Sequence, residues 1–66
     1  MNKGQIRNIL AVMERGKGIH YFNHNVWVTF NMHGEFNVFN GISHVKYTTT
    51  TSLKEAVKCT HLVLNN

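Results

Sequence analysis

The side chains best suited to metal binding, nucleophilic attack or general-base chemistry are five histidines (His20, His24, His33, His44, His61), Cys59, and Glu14, Glu35 and Glu55; there is no aspartate. A structural zinc site needs four ligands at short, defined spacing, usually with paired cysteines. Cys59 stands alone, His33 falls in a turn, and His20 and His24 approach His44 only under some strand registers. The histidines therefore read as surface groups that confer pH sensitivity, and no metal or other cofactor is expected. Nucleophilic catalysis needs a thiol or hydroxyl held by a base inside a concave pocket. Cys59 lies beside an apolar helix stripe, where a small thiol packs. Each glutamate has a simpler role, as helix surface for Glu14, a cross-strand pair for Glu35 and a helix cap for Glu55. The expectation is a protein that is not an enzyme.

Two groups of residues have the chemistry of binding instead. Trp27, Phe39 and Ile42, with His44 and Lys46 beside them, form an aromatic and aliphatic patch with one positive charge. Such a patch exposed on a sheet does nothing for solubility, and it marks a contact surface unless another element covers it. The second group is Lys54, Lys58 and His61, spaced i, i+4, i+7 on one helix face. With Arg7, Arg15 and Lys17 it has the chemistry of phosphate contact; a solvated outer helix face carries the same residues.

The elements that must position these groups follow from periodicity. Lys3 to Arg15 reads as an amphipathic helix, with Ile6, Ile9, Leu10 and Met13 on one stripe. Asn2 and Gln5 form a capping box ahead of it, and Gly16 is a natural stop. Val26, Val28 and Phe30 alternate with Trp27, Thr29 and Asn31, the period of a strand with two faces. Met32-His33-Gly34 predicts a three-residue hairpin loop, which sets Phe30 opposite Phe36 and Val28 opposite Val38. Asn40-Gly41 predicts a two-residue turn, which sets Phe39 beside Ile42, Phe36 beside Val45 and Glu35 beside Lys46. On that register Val45 and Tyr47 join Val28, Phe30, Phe36 and Val38 on the inner face. Ile19 to Phe22 has strand character and either adds a fourth, edge strand or crosses the sheet; the facing of Tyr21 and Phe22 stays open. Thr48 to Thr51 leads into Ser52-Leu53-Lys54-Glu55, a second capping box, and a helix running to about His61.

The resulting order is helix, three antiparallel strands, helix. It makes an α+β two-layer sandwich with both helices on the Phe30/Phe36 face and the indole outward. Sixty-six residues make a single small domain near the lower limit for a core without disulfide or metal. Seven Lys and Arg against three Glu give a net charge of +4, which favours anionic partners. No apolar run is long enough for a membrane span or a secretory signal, so a cytoplasmic, soluble chain is the expectation.

The element order resembles that of the double-stranded-RNA-binding domain, but Thr48 to Lys54 has one lysine and no glycine where that family has a glycine-rich lead into a lysine-rich helix. Val26 to Lys58, a strand pair followed by a Ser-Leu-x-Glu-Ala helix start, is similar to small phage proteins that inhibit host enzymes and to sheet-based DNA readers. No family follows from these likenesses. The function expected is a non-enzymatic regulator or inhibitor, of the accessory kind that phages encode. It would dock on a protein partner, or pair with itself, through Trp27, Phe39, Ile42, His44 and Lys46. The alternative is nucleic-acid binding through Arg7, Arg15, Lys17, Lys54, Lys58 and His61.

Overall fold

The computed structural model of the chain describes residues 1–16, 18–41 and 45–65. Helix α1 (Lys3–Gly16) is followed by strands β1 (Gly18–Asn23), β2 (Val26–Phe30), β3 (Phe36–Asn40) and β4 (Val45–Thr50), then helix α2 (Leu53–Leu64). The four strands form one antiparallel sheet in the order β1-β2-β3-β4, so Ile19 to Phe22 belongs to an edge strand. The chain is an α+β fold.

Helix α1 begins as its capping box predicts: the Asn2 amide donates to Gln5 Oε1 and the Gln5 amide to Asn2 Oδ1, both at 2.9 Å. Ile6, Leu10 and Met13 are buried on its inner stripe. The second capping box is only half made. Ser52 Oγ accepts from the Glu55 amide at 3.2 Å, while the Ser52 amide donates to Thr50 Oγ1 at 3.0 Å. Helix α2 continues past His61 to Leu64, and Cys59 is buried with Ala56, Val57, Thr60 and Val63.

The β2–β3 register matches the sequence pattern, with Val28 opposite Val38 and Phe30 opposite Phe36. The loop between them turns on Asn31, whose Oδ1 accepts from the amides of His33 (2.9 Å) and Glu35 (3.1 Å). Gly34 takes φ +76°, the left-handed position the three-residue loop requires.

The β3–β4 register differs from the sequence pattern. Phe36 pairs with Thr50 and Val38 with Thr48, and a register shift near Tyr47 then puts Phe39 opposite Lys46 and Asn40 opposite Val45. Strand β3 ends at Asn40 and β4 begins at Val45, which leaves more chain between them than a two-residue turn uses. A tight hairpin turn of the Asn-Gly kind needs φ > 0 at both central residues, and Gly41 does not take a positive φ. Val45 and Tyr47 are accordingly exposed, not part of the core. The β-branched threonines supply the inner face of β4 in their place. Glu35 does not meet Lys46; its Oε1 accepts from Asn31 Nδ2 at 3.0 Å.

Both helices cover one side of the sheet. Helix α2 crosses β2, β3 and β4, while α1 packs beside α2 and over β1. Ile6, Leu10, Val28, Phe36, Val38 and Ala56 are fully buried between the layers, and Phe22, Phe30, Leu53 and Leu64 close the margins. The opposite side of the sheet is covered by neither helix.

Candidate interaction surfaces

The uncovered face holds an aromatic row that crosses the sheet. Tyr21 on β1 lies opposite Trp27 on β2, Trp27 opposite Phe39 on β3, and Phe39 opposite Lys46 on β4. The Trp27 and Phe39 rings are stacked, with centroids 5.5 Å apart and planes 14° apart. Tyr21 tilts against Trp27 at 6.0 Å. Each such pair contributes about 0.5–1.5 kcal/mol beyond the area it buries, so the row is a preassembled unit. Trp27 and Phe39 are half-buried by these contacts, and Tyr21 is 63 % exposed.

Gly41 forms part of the seat of the indole. A Cβ there would lie 2.7 Å from Trp27 Cζ3 and 3.1 Å from both Asn25 Cα and His24 O. The Gly41 amide donates to the Asn25 carbonyl, tying this close approach to the β1–β2 turn. A parallel row of Ile19, Thr29, Asn37 and Thr49 runs alongside; in it Thr49 Oγ1 donates to Asn37 Oδ1 at 2.8 Å. The Lys46 ammonium has no ion-pair partner among the described residues. Of the expected patch, Trp27, Phe39 and Lys46 are brought together. Ile42 and His44 lie outside the described residues.

Tyr21 is the member whose facing the sequence leaves open. Its direction follows from a register shift between Tyr21 and Asn23, which aims Tyr21 outward while Phe22 packs against the core. No residue in the Asn23-His24-Asn25 segment signals that irregularity.

The second group of residues gathers on the helical layer. Lys3, Gly4 and Arg7 of α1 and Lys54, Glu55, Val57 and Lys58 of α2 line one groove of about 560 Å³. Arg7, Lys54 and Lys58 therefore come together as the alternative reading anticipates, and Lys3 joins them. Arg15 sits in the last turn of α1 and His61 in the last turn of α2, and neither lines the groove. Lys17 lies outside the described residues. Lys3 does carry a signal in the sequence, since it stands at i−4 from Arg7 on the same helix.

Among the described residues the groups suited to catalysis are dispersed. His20 packs edge-on against Phe22 at 4.7 Å, and His33 occupies the β2–β3 loop. Among the described residues no group of three His, Cys, Asp or Glu could hold a metal ion. Cys59 is buried, and its Sγ contacts Glu55 Oε1 at 3.8 Å. Burial and then the neighbouring Glu55 carboxylate push the thiol above its ordinary pKa, so it is held as the weakly nucleophilic neutral form. Among the described residues no helix is long and apolar enough to cross a membrane.

Comparison with protein-family models, with curated proteins and with solved structures finds no match to this chain.

Proposed function

We propose that this chain is a small non-enzymatic binding module that regulates or inhibits a protein partner by docking on it through the outer face of the sheet. The observation that carries the reading is the Tyr21–Trp27–Phe39 row, with Trp27 stacked on Phe39 and Tyr21 tilted against Trp27, left uncovered by either helix and ending at Lys46. Tryptophan and tyrosine dominate binding hot spots because they bury large area with few rotatable bonds. Here the rings are already packed on one another, so little side-chain entropy remains to be lost on docking.

Geometry bounds the contact. Four strands about 4.8 Å apart and about five residues long make a face of roughly 300 Å². A standard interface buries about 800 Å² per partner, so the row forms its centre and the loops at either end form its rim. The chemistry of the fitting partner follows: an apolar groove for the rings, with acidic groups where Lys46 emerges. Docking inhibits by occlusion, since a filled groove is closed to other ligands.

The test is isothermal titration of the partner recovered at one-to-one stoichiometry, with Tyr21→Ser and Trp27→Ala compared against the native chain. Tyr21 is mostly exposed, so its replacement leaves the fold intact. Both variants are expected to weaken binding by about 2 kcal/mol or more, the range of hot-spot residues. Unchanged affinity in both variants overturns the proposal. So does sedimentation of the native chain as a dimer that Tyr21→Ser dissociates, since the row would then be the seat of a second copy.

A further inference from the structure

We infer that the groove between the first turns of α1 and α2 is a second binding site, independent of the sheet face, which holds the phosphodiester backbone of a nucleic acid. Four of the chain's seven Lys and Arg residues line this one groove: Lys3 and Arg7 on one wall, Lys54 and Lys58 on the other. All four are exposed, and none has an ion-pair partner among the described residues. Gathering like charges without neutralising them raises the local positive potential, which is the property that concentrates an anion. The single acid on the lining, Glu55, has its Oε1 against Cys59 Sγ. The opening turns of both helices are here as well, adding the positive ends of two helix dipoles.

The arrangement favours a repeating anion over an isolated one. Each wall presents two cations about one helical turn apart, about 6 Å at 1.5 Å per residue, so the charged positions run along two lines, one on each helix. Three of the four are lysines, which act as point charges, and Arg7 alone has the planar fork that clasps one phosphate through two parallel hydrogen bonds. Contacts of this kind position a polynucleotide backbone without reading its sequence. The groove lies in the helical layer and the aromatic row on the far side of the sheet. Both can therefore be occupied at once, and the module can hold a protein partner at a nucleic acid.

The experiment is fluorescence anisotropy of labelled 20-nucleotide single-stranded and duplex DNA, titrated with the full chain between 50 and 200 mM NaCl. Four phosphate contacts predict a slope of log K against log salt near −3, an affinity loss of about 50-fold over that range for the single strand. The pair Lys54→Gln with Lys58→Gln, and separately Lys3→Gln with Arg7→Gln, is expected to cut the loss to about sevenfold, two contacts fewer. Arg15→Gln removes one positive charge away from the groove and is expected to leave the slope unchanged, where Lys58→Gln alone lowers its magnitude by about 0.7. Circular dichroism verifies that each variant is folded. An equal change in slope for Arg15→Gln and Lys58→Gln overturns the assignment, because net charge alone would then explain binding. No binding of either DNA at 50 mM salt overturns it too, as does retention of a phosphoserine peptide where DNA is not retained.

Discussion

Replacing Gly41 with alanine probes whether the aromatic row is built as a unit with the strand connections beneath it. The added methyl would stand 2.7 Å from Trp27 Cζ3 and 3.1 Å from two backbone atoms of the His24–Asn25 turn, so something must move. If the indole swings away, it leaves its stack on Phe39, a loss of about 0.5–1.5 kcal/mol. If the backbone moves, the hydrogen bond from the Gly41 amide to the Asn25 carbonyl is strained or broken, a further loss of about 0.5–1.5 kcal/mol. Either route alone costs about 0.5–1.5 kcal/mol and both together about 1–3 kcal/mol. A 66-residue domain has roughly 3–10 kcal/mol in total, and each kcal/mol lowers Tm by roughly 4–8 °C at this size. Urea unfolding followed by tryptophan fluorescence reads the loss directly. Repeating Gly41→Ala in a Trp27→Leu background isolates the ring contribution, and the two substitutions are expected to couple by at least about 0.5 kcal/mol. A Gly41→Ala protein of native stability and native emission maximum would refute the packing described for this face.

Other perturbations test separate parts of the molecule. Asn31→Ala removes three hydrogen bonds that shape the β2–β3 loop, and urea titration is expected to show a loss of about 1–2 kcal/mol. Thr60 is fully buried, and its Oγ1 has no hydrogen-bond partner among the described residues. Thr60→Val therefore removes an unsatisfied hydroxyl and is expected to raise stability by about 1 kcal/mol; a lower Tm would show that the hydroxyl is satisfied. Cys59 has its pKa raised above 9.0, first by burial and then by Glu55. The native chain at pH 8 is expected to react with iodoacetamide at least about tenfold more slowly than the chain in urea, by mass spectrometry. The linkage sign follows: a raised folded pKa means the neutral thiol's contribution is full below the unfolded value and fades as pH rises through the higher folded one. Stability in Cys59→Ala should lack that alkaline decline.

The parts of the fold legible in the sequence are those fixed by near neighbours. Alternation from Val26 to Phe30 and the left-handed Gly34 are local, and together they set the β2–β3 register. The Asn2–Gln5 cap and the Ile6, Leu10, Met13 stripe are local too. The departures arise where a residue answers to something distant. Gly41 looks like half of a tight turn, yet it is small because a tryptophan from another strand rests beside it. A tight turn there would carry Val45 and Tyr47 into the core and leave the threonines as linker, which is the reverse of their placement. The basic groove shows the same division. The spacing of Lys54 and Lys58 is visible on one helix, as is that of Lys3 and Arg7 on the other. Their convergence depends on how the two helices pack, which no short-range pattern encodes.

The strictly sequential order of the sheet shapes how this molecule assembles. Every strand pairs with the one before it, so each ladder closes a short loop, and short loops are fast to close. The sheet can grow outward from the β2–β3 hairpin by successive zippering. The docking of α1 beside α2 joins the first and last elements, and it comes at the largest loop entropy. Tension applied to the termini would act first on that long-range contact, peeling the rods from the meander and baring Val28, Phe36 and Val38 before any strand separates.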